Sequence, residues 1–160
     1  PWRRDGGAAT LRSPTRRTAM RRRIDSRTQL EVIDADECRA LLAGEEIGRL
    51  AVIHGGAPAV FPVNYILDGD AVVFRTAPGT KLSAGIRSRV AFEIDAFDRS
   101  TRTGWSVVLT GRLEEVTHFD AATLRRVREL PVEPWAGGDK PHWMRIVPTG
   151  ISGRAIPAPR

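Results

Sequence analysis

The sequence predicts a mainly β protein, a closed or half-closed antiparallel barrel with two or three short helices. Three observations carry that expectation. Seven or eight segments read as strands. Short turns join most of them, whereas a parallel sheet needs a long crossover between successive strands. Only two windows combine helical periodicity with a start signal. The 160 residues suit one domain, since a chain of this size buries about 68–70% of its unfolded surface.

Taken in order, residues 28–33 alternate apolar and polar side chains around Leu30 and Val32, a first strand. Asp34, with Glu37 three residues on, is the cap of a helix, and Ala40, Leu41 and Leu42 form its apolar stripe before Gly44. Cys38 falls inside it, where a small buried hydrophobe is the expected role. Residues 47–53 return to alternation: Ile47, Arg49, Ala51 and Ile53 share one face, Gly48, Leu50 and Val52 the other. The run His54-Gly55-Gly56-Ala57 is a hairpin turn, because paired glycines supply the positive φ it needs, and His54 beside it is expected to face solvent. Residues 58–67 and 71–76 form a second hairpin, closed at Asp68-Gly69-Asp70.

Residues 81–85 fit a single further turn of helix. Residues 90–97 are a strand with Glu93 and Asp95 opposite Phe92, Ile94 and Ala96. With no histidine or third carboxylate beside them, the two acids read as a polar face rather than a metal site. Residues 104–116 make a long strand that bends at Gly111. Residues 119–130 are an amphipathic helix with Leu124, Val127 and Leu130 on one stripe. A Pro/Gly-rich loop over residues 131–141 carries Trp135. Two last strands, 142–147 and 151–156, are separated by a break at Pro148-Thr149-Gly150.

The net charge of +6 is unevenly placed: residues 1–23 hold eight arginines and one acid. Residues 1–26 therefore read as a basic tail, disordered by composition, and residues 27–157 as a nearly neutral domain. Such a leader suits loose contact with nucleic acid or anionic lipid, but the charge does not extend into the fold, so no specific nucleic-acid partner is expected. No apolar run is long enough to span a membrane. Cys38, the only cysteine, rules out an intrachain disulfide and agrees with a cytoplasmic location.

The hairpin over residues 61–76 and the loop after it carry the chemistry. Arg75, Thr76, Thr80 and Lys81 put two cations and two hydroxyls around one strand end, and Gly79 lets the backbone approach a ligand. A phosphate monoester needs this set. The Walker spacing is absent, so nucleotide hydrolysis is not indicated. Tyr65, Trp105, Trp135 and Trp143 are available to flank a flat ring, which points to a phosphorylated planar cofactor.

In order along residues 27–156, the capped helix, Ile47-Gly48-Arg49-Leu50-Ala51, Pro62-Val63-Asn64-Tyr65, Phe74-Arg75-Thr76 with Gly79-Thr80-Lys81, Val90-Ala91-Phe92-Glu93-Ile94-Asp95, Gly104-Trp105-Ser106-Val107 and Ile151-Ser152-Gly153-Arg154 resemble the flavin-binding split β-barrel proteins of the pyridoxamine-phosphate-oxidase-like superfamily. The likeness is greatest to its small actinobacterial-type members. It implies a split barrel, a homodimer with FMN in a groove between protomers, and hydride transfer at flavin N5 to a small-molecule substrate. It further implies that the backbone of Pro62, Val63 and Asn64 faces the ring, that Arg75, Thr76, Thr80 and Lys81 hold the phosphate, and that Trp105 and Ser106 lie at the same site. A deazaflavin coenzyme or haem on the same barrel, or a non-catalytic flavin store, are the alternatives. Nitroimidazole-reducing relatives carry a His on the strand that here reads Phe74-Arg75-Thr76, which argues against that activity. No catalytic acid or base is identified.

Overall fold

The computed structural model describes residues 22–77, 86–117 and 119–158. Its first strand, β1 (Glu31–Ile33), leads into α1 (Ala35–Gly44) through Asp34. The Asp34 carboxylate accepts the Glu37 backbone N–H at 2.8 Å, satisfying one of the orphan donors of the first turn for about 1 kcal/mol. The helix buries Cys38 and Leu42. Upstream, Ile24 bridges Glu31, and Arg22 donates to Glu31 at 3.1 Å and pairs with Glu37. The chain is thus tied to the domain from Arg22 onward, ahead of the tail boundary expected at residue 26. The earlier part of the tail, residues 1–21, lies outside the described residues, as does the helical turn expected at 81–85.

Six strands close the barrel: β2 (Ile47–His54), β3 (Ala57–Asp68), β4 (Ala71–Thr76), β5 (Arg89–Asp98), β6 (Thr103–Glu115) and β7 (His142–Ile156). All pairings are antiparallel, in the order β1-β7-β4-β3-β2-β5-β6, and β6 returns to pair with β7. The β2–β3 turn is made by Gly55 and Gly56 at φ 58° and 79°, the values a two-residue hairpin requires. His54 beside it is half-buried, and its Nδ1 is enclosed without a partner among the described residues. The expectation of a solvent-facing imidazole is corrected by that packing.

The last strand is continuous where a break at Pro148-Thr149-Gly150 was expected. Gly111 pairs with Pro148 and Thr110 with Gly150, so Thr149 is the extra residue of a β-bulge. From Val147 to Ser152 only β6 pairs with β7, and proline is tolerated at such a one-sided, bulged position. The added residue also inverts parity. Met144 and Ile146 point inward before the bulge, and Ile151 and Ala155 after it.

The interior is filled by Leu50, Val52, Val72, Phe74, Phe92, Ile94, Val107, Leu109 and Leu113 among others, nearly all without solvent contact. A smaller cluster lies outside the barrel, where α2 (Ala121–Arg128) lays Val127 and Leu124 over Val73 and Trp143. Asp120 caps α2 through the backbone N–H groups of Ala122 and Thr123, and Arg126 pairs with Asp68 at the end of β3. No helix among the described residues is long and apolar enough to cross a membrane.

Two measurements test this packing. A Cβ added at Gly48 would overlap the buried Phe92 ring, whereas one at Gly44 meets nothing within 4 Å. Gly48→Ala should therefore cost about 1–3 kcal/mol in urea unfolding, and Gly44→Ala should stay within about 0.5 kcal/mol of the parent. Separately, burial, aided by Asp34 and Glu37, pushes the Cys38 thiol up to about 11. Since only the thiolate reacts, a fraction of roughly one in a thousand at pH 8, a thiol reagent should label Cys38 at the rate of unfolding; rapid labelling of the native protein would contradict its burial.

Candidate functional site

The barrel sorts the residues singled out on β3 and β4 by face. On β3, Val63 packs against the interior, so its neighbours Pro62 and Asn64 point outward. On β4, Phe74 is interior, Arg75 points outward, and Thr76 turns back in with 9% exposure. The β3–β4 ladder ends at the Tyr65–Phe74 pair. Asn64 and Arg75 thus stand on the two strands where they part.

Residues 131–141 are bonded to both sides of that gap. The backbone N–H of Trp135 donates to Asn64 Oδ1 at 2.9 Å, and Arg75 Nε donates to the Lys140 carbonyl at 3.1 Å. Lys140 Nζ turns back onto the Ala136 and Gly137 carbonyls at 3.0 and 2.9 Å. The Arg75 guanidinium lies 5.2 Å over the ring of Trp143, its partner in the β4–β7 ladder, and its terminal nitrogens bond no described residue. Asn64 Nδ2 is enclosed and has no partner among the described residues. Beside it a pocket of about 570 Å³ opens between the end of α1, β3 and residues 131–135.

Ser106 lies on the same outer surface. Extending the strand registers puts Arg75, Asn64, Ile47, Asp95 and Ser106 in one row across β4, β3, β2, β5 and β6. Asn64 and Ser106 are three strand spacings apart, about 14 Å. Trp105 turns the other way and packs against the barrel interior. One chain thus groups Asn64, Arg75 and Thr76, carries Pro62 on the neighbouring row, and holds Trp105 and Ser106 apart from them. Thr80 and Lys81 lie outside the described residues. Of the aromatic residues expected to flank a ring, Tyr65 is not available. It is 4% exposed, donates its hydroxyl to the Leu42 carbonyl at 2.7 Å and meets Phe92 edge-on at 4.8 Å. Trp135, by contrast, is 70% exposed.

Between Asn64 and Ser106 the outer face is charged. Arg49 Nη1 lies 3.3 Å from Glu93 and 2.5 Å from Asp95, so the two acids form a polar face held by one cation. Burial, and then Asp95, pushes the Glu93 carboxyl up, with Arg49 opposing. Among the described residues no group of three or more His, Cys, Asp or Glu side chains is placed to hold a metal ion. Sequence reasoning missed a pair at the start of β7, where His142 Nδ1 sits 2.6 Å from Glu115 Oε1, with His142 opposite Thr76 in the ladder. It also missed Glu45, Glu46 and Glu133 on the pocket wall. No local pattern connects such residues.

The antiparallel barrel with its two helices is also visible in comparison with known proteins. Residues 34–155 match the family model described as pyridoxamine 5'-phosphate oxidase. A Mycobacterium tuberculosis protein of uncharacterised function is 34% identical over 145 residues, 86% of this chain and 93% of its own. The FAD-binding protein of Mycobacterium smegmatis has 36% identity and a TM-score of 0.68, over 79% of this chain and 99% of that one. A FAD-binding protein of Mesorhizobium loti has 27% identity and a TM-score of 0.64, over 80% and 99%. The chain belongs to the pyridoxamine 5'-phosphate oxidase family.

Proposed function

We propose that this protein is a flavin-dependent oxidoreductase that holds its cofactor on the outer surface around Asn64 and Arg75, in a groove shared by two copies of the chain. The observation that carries this reading is Arg75. Its Nε is spent on the Lys140 carbonyl and its face on Trp143, so the fork is oriented before any ligand arrives while its terminal nitrogens bond no described residue. A phosphate group fits that geometry. Thr76 lies next to it, and the sequence puts Thr80 and Lys81 within five and six residues. Pro62 and Asn64, whose side chains face outward, would lie along the edge of a planar ring. When bound, the flavin supplies hydride exchange at N5. The chain's part is to fix the phosphate, orient the ring and exclude water from one side.

FMN is the form the phosphate residues suit, while FAD, bound by the two relatives as their names state, carries the same ring and first phosphate. The mass released on denaturing protein from its native host identifies which. Replacing Arg75 and Lys81 together by alanine should weaken flavin retention by roughly a hundredfold or more, from two lost charged hydrogen bonds, with an unchanged far-ultraviolet circular dichroism spectrum. Unaltered loading would mean that the phosphate lies elsewhere.

The shared groove draws support from the outer face itself. Ile53 and Val60 at one end of that face and Phe97 at the other are 60%, 61% and 56% exposed, apolar side chains that a partner chain would cover. Arg49 with Glu93 and Asp95 gives the face both signs of charge, as a self-complementary two-fold contact requires. A dimer is expected by sedimentation at micromolar concentration; a monomer that retains flavin would overturn the shared groove.

A further inference from the structure

We propose that the pocket between the end of α1, β3 and residues 131–135 binds a small organic cation, an ammonium or protonated nitrogen heterocycle carried on an apolar body. This goes beyond the flavin reading and does not depend on it. At about 570 Å³ the pocket lies within the usual range for small-molecule sites. Among the described residues its wall contains three carboxylates, Glu45, Glu46 and Glu133, and no lysine or arginine. None of the three makes an ion pair with a described residue. A phosphorylated or carboxylate ligand would meet that charge uncompensated. Nor is a metal ion suited, because the acids do not converge as a metal-holding group. The charge they favour is diffuse.

The remaining lining describes the rest of the ligand. Trp135 shares the wall with the indole largely exposed, and an aromatic face attracts an alkylammonium or a flat cation. Leu42 and Val132 supply an apolar floor. Asn64 accepts the Trp135 N–H on its Oδ1, which fixes the loop side of the pocket. The Glu45 carboxyl is pushed up by burial, then by Asp95 and Glu46. Only the share of that shift due to Asp95 and Glu46 reflects a negative field, and that field also attracts a ligand's positive charge.

Titration calorimetry of the full chain with benzyltrimethylammonium, benzyl alcohol and benzoate tests this. The cation should bind, with the alcohol weaker by roughly tenfold or more and benzoate undetectable. Glu45→Gln with Glu133→Gln should weaken the cation by roughly tenfold, and Trp135→Ala by about fivefold, within the span of cation–π energies. All three residues are exposed, so the variants should fold, which their unfolding midpoints report. Equal binding of the alcohol, or cation binding unchanged in the double variant, would overturn the proposal. Heat rather than turnover is read, so the answer stands whatever cofactor the protein carries.

Discussion

Closure of the barrel hangs on β7. Its first third pairs with β4, its last residues with β1, and almost its whole length with β6, so it joins both margins of the sheet and leaves no long edge exposed. A strand with a strict two-residue alternation would keep one parity throughout. The bulge at Thr149 breaks it, and Met144, Ile146, Ile151 and Ala155 all reach the same interior. Gly111, on the facing strand, leaves no room for a side chain between itself and Val147, which lets the two backbones come together at the bend.

That closure determines which surfaces remain for function. The interior is packed solid, Gly48 being the allowance made for the Phe92 ring. The surfaces left outside are the face of β3, β2, β5 and β6 and the gap where β3 leaves β4. Tyr65 links the two levels: its ring is core, its hydroxyl holds the last turn of α1, and its N–H bonds the Glu46 carbonyl. The end of the helix and the outward side of β3 are thereby kept in fixed relation, and they are the two fixed walls of the pocket.

What was legible in the sequence was local or periodic. The Asp34 cap, the Gly55-Gly56 turn, the inward alternation of Leu50 and Val52, and the Val127 stripe are each specified within a few residues, and the structure keeps all of them. Arg75 stood out as a cation at a strand end before a Gly-Thr-Lys loop, and Asn64 only through the resemblance of the motif around it. The rest depended on distance in the chain. Pro148-Thr149-Gly150 looks like a stop until its partner strand is known to bend with it. Tyr65 looks like a surface aromatic until Leu42 and Phe92 surround it. His142 and Glu115 are 27 residues apart, and no spacing rule joins a strand start to a strand end.

Two hydrogen bonds that hold residues 131–141 against the barrel use main-chain atoms of the loop, the Trp135 N–H and the Lys140 carbonyl. The side chains that do the holding belong to β3 and β4. Substitutions at 133 or 135 can thus change the charge and shape presented to solvent without releasing the segment, provided proline does not replace the donor at 135. The surface that the segment presents and the bonds that hold it are mutationally uncoupled at this point, so exchanging a few loop residues changes the chemistry shown to solvent while leaving these ties in place.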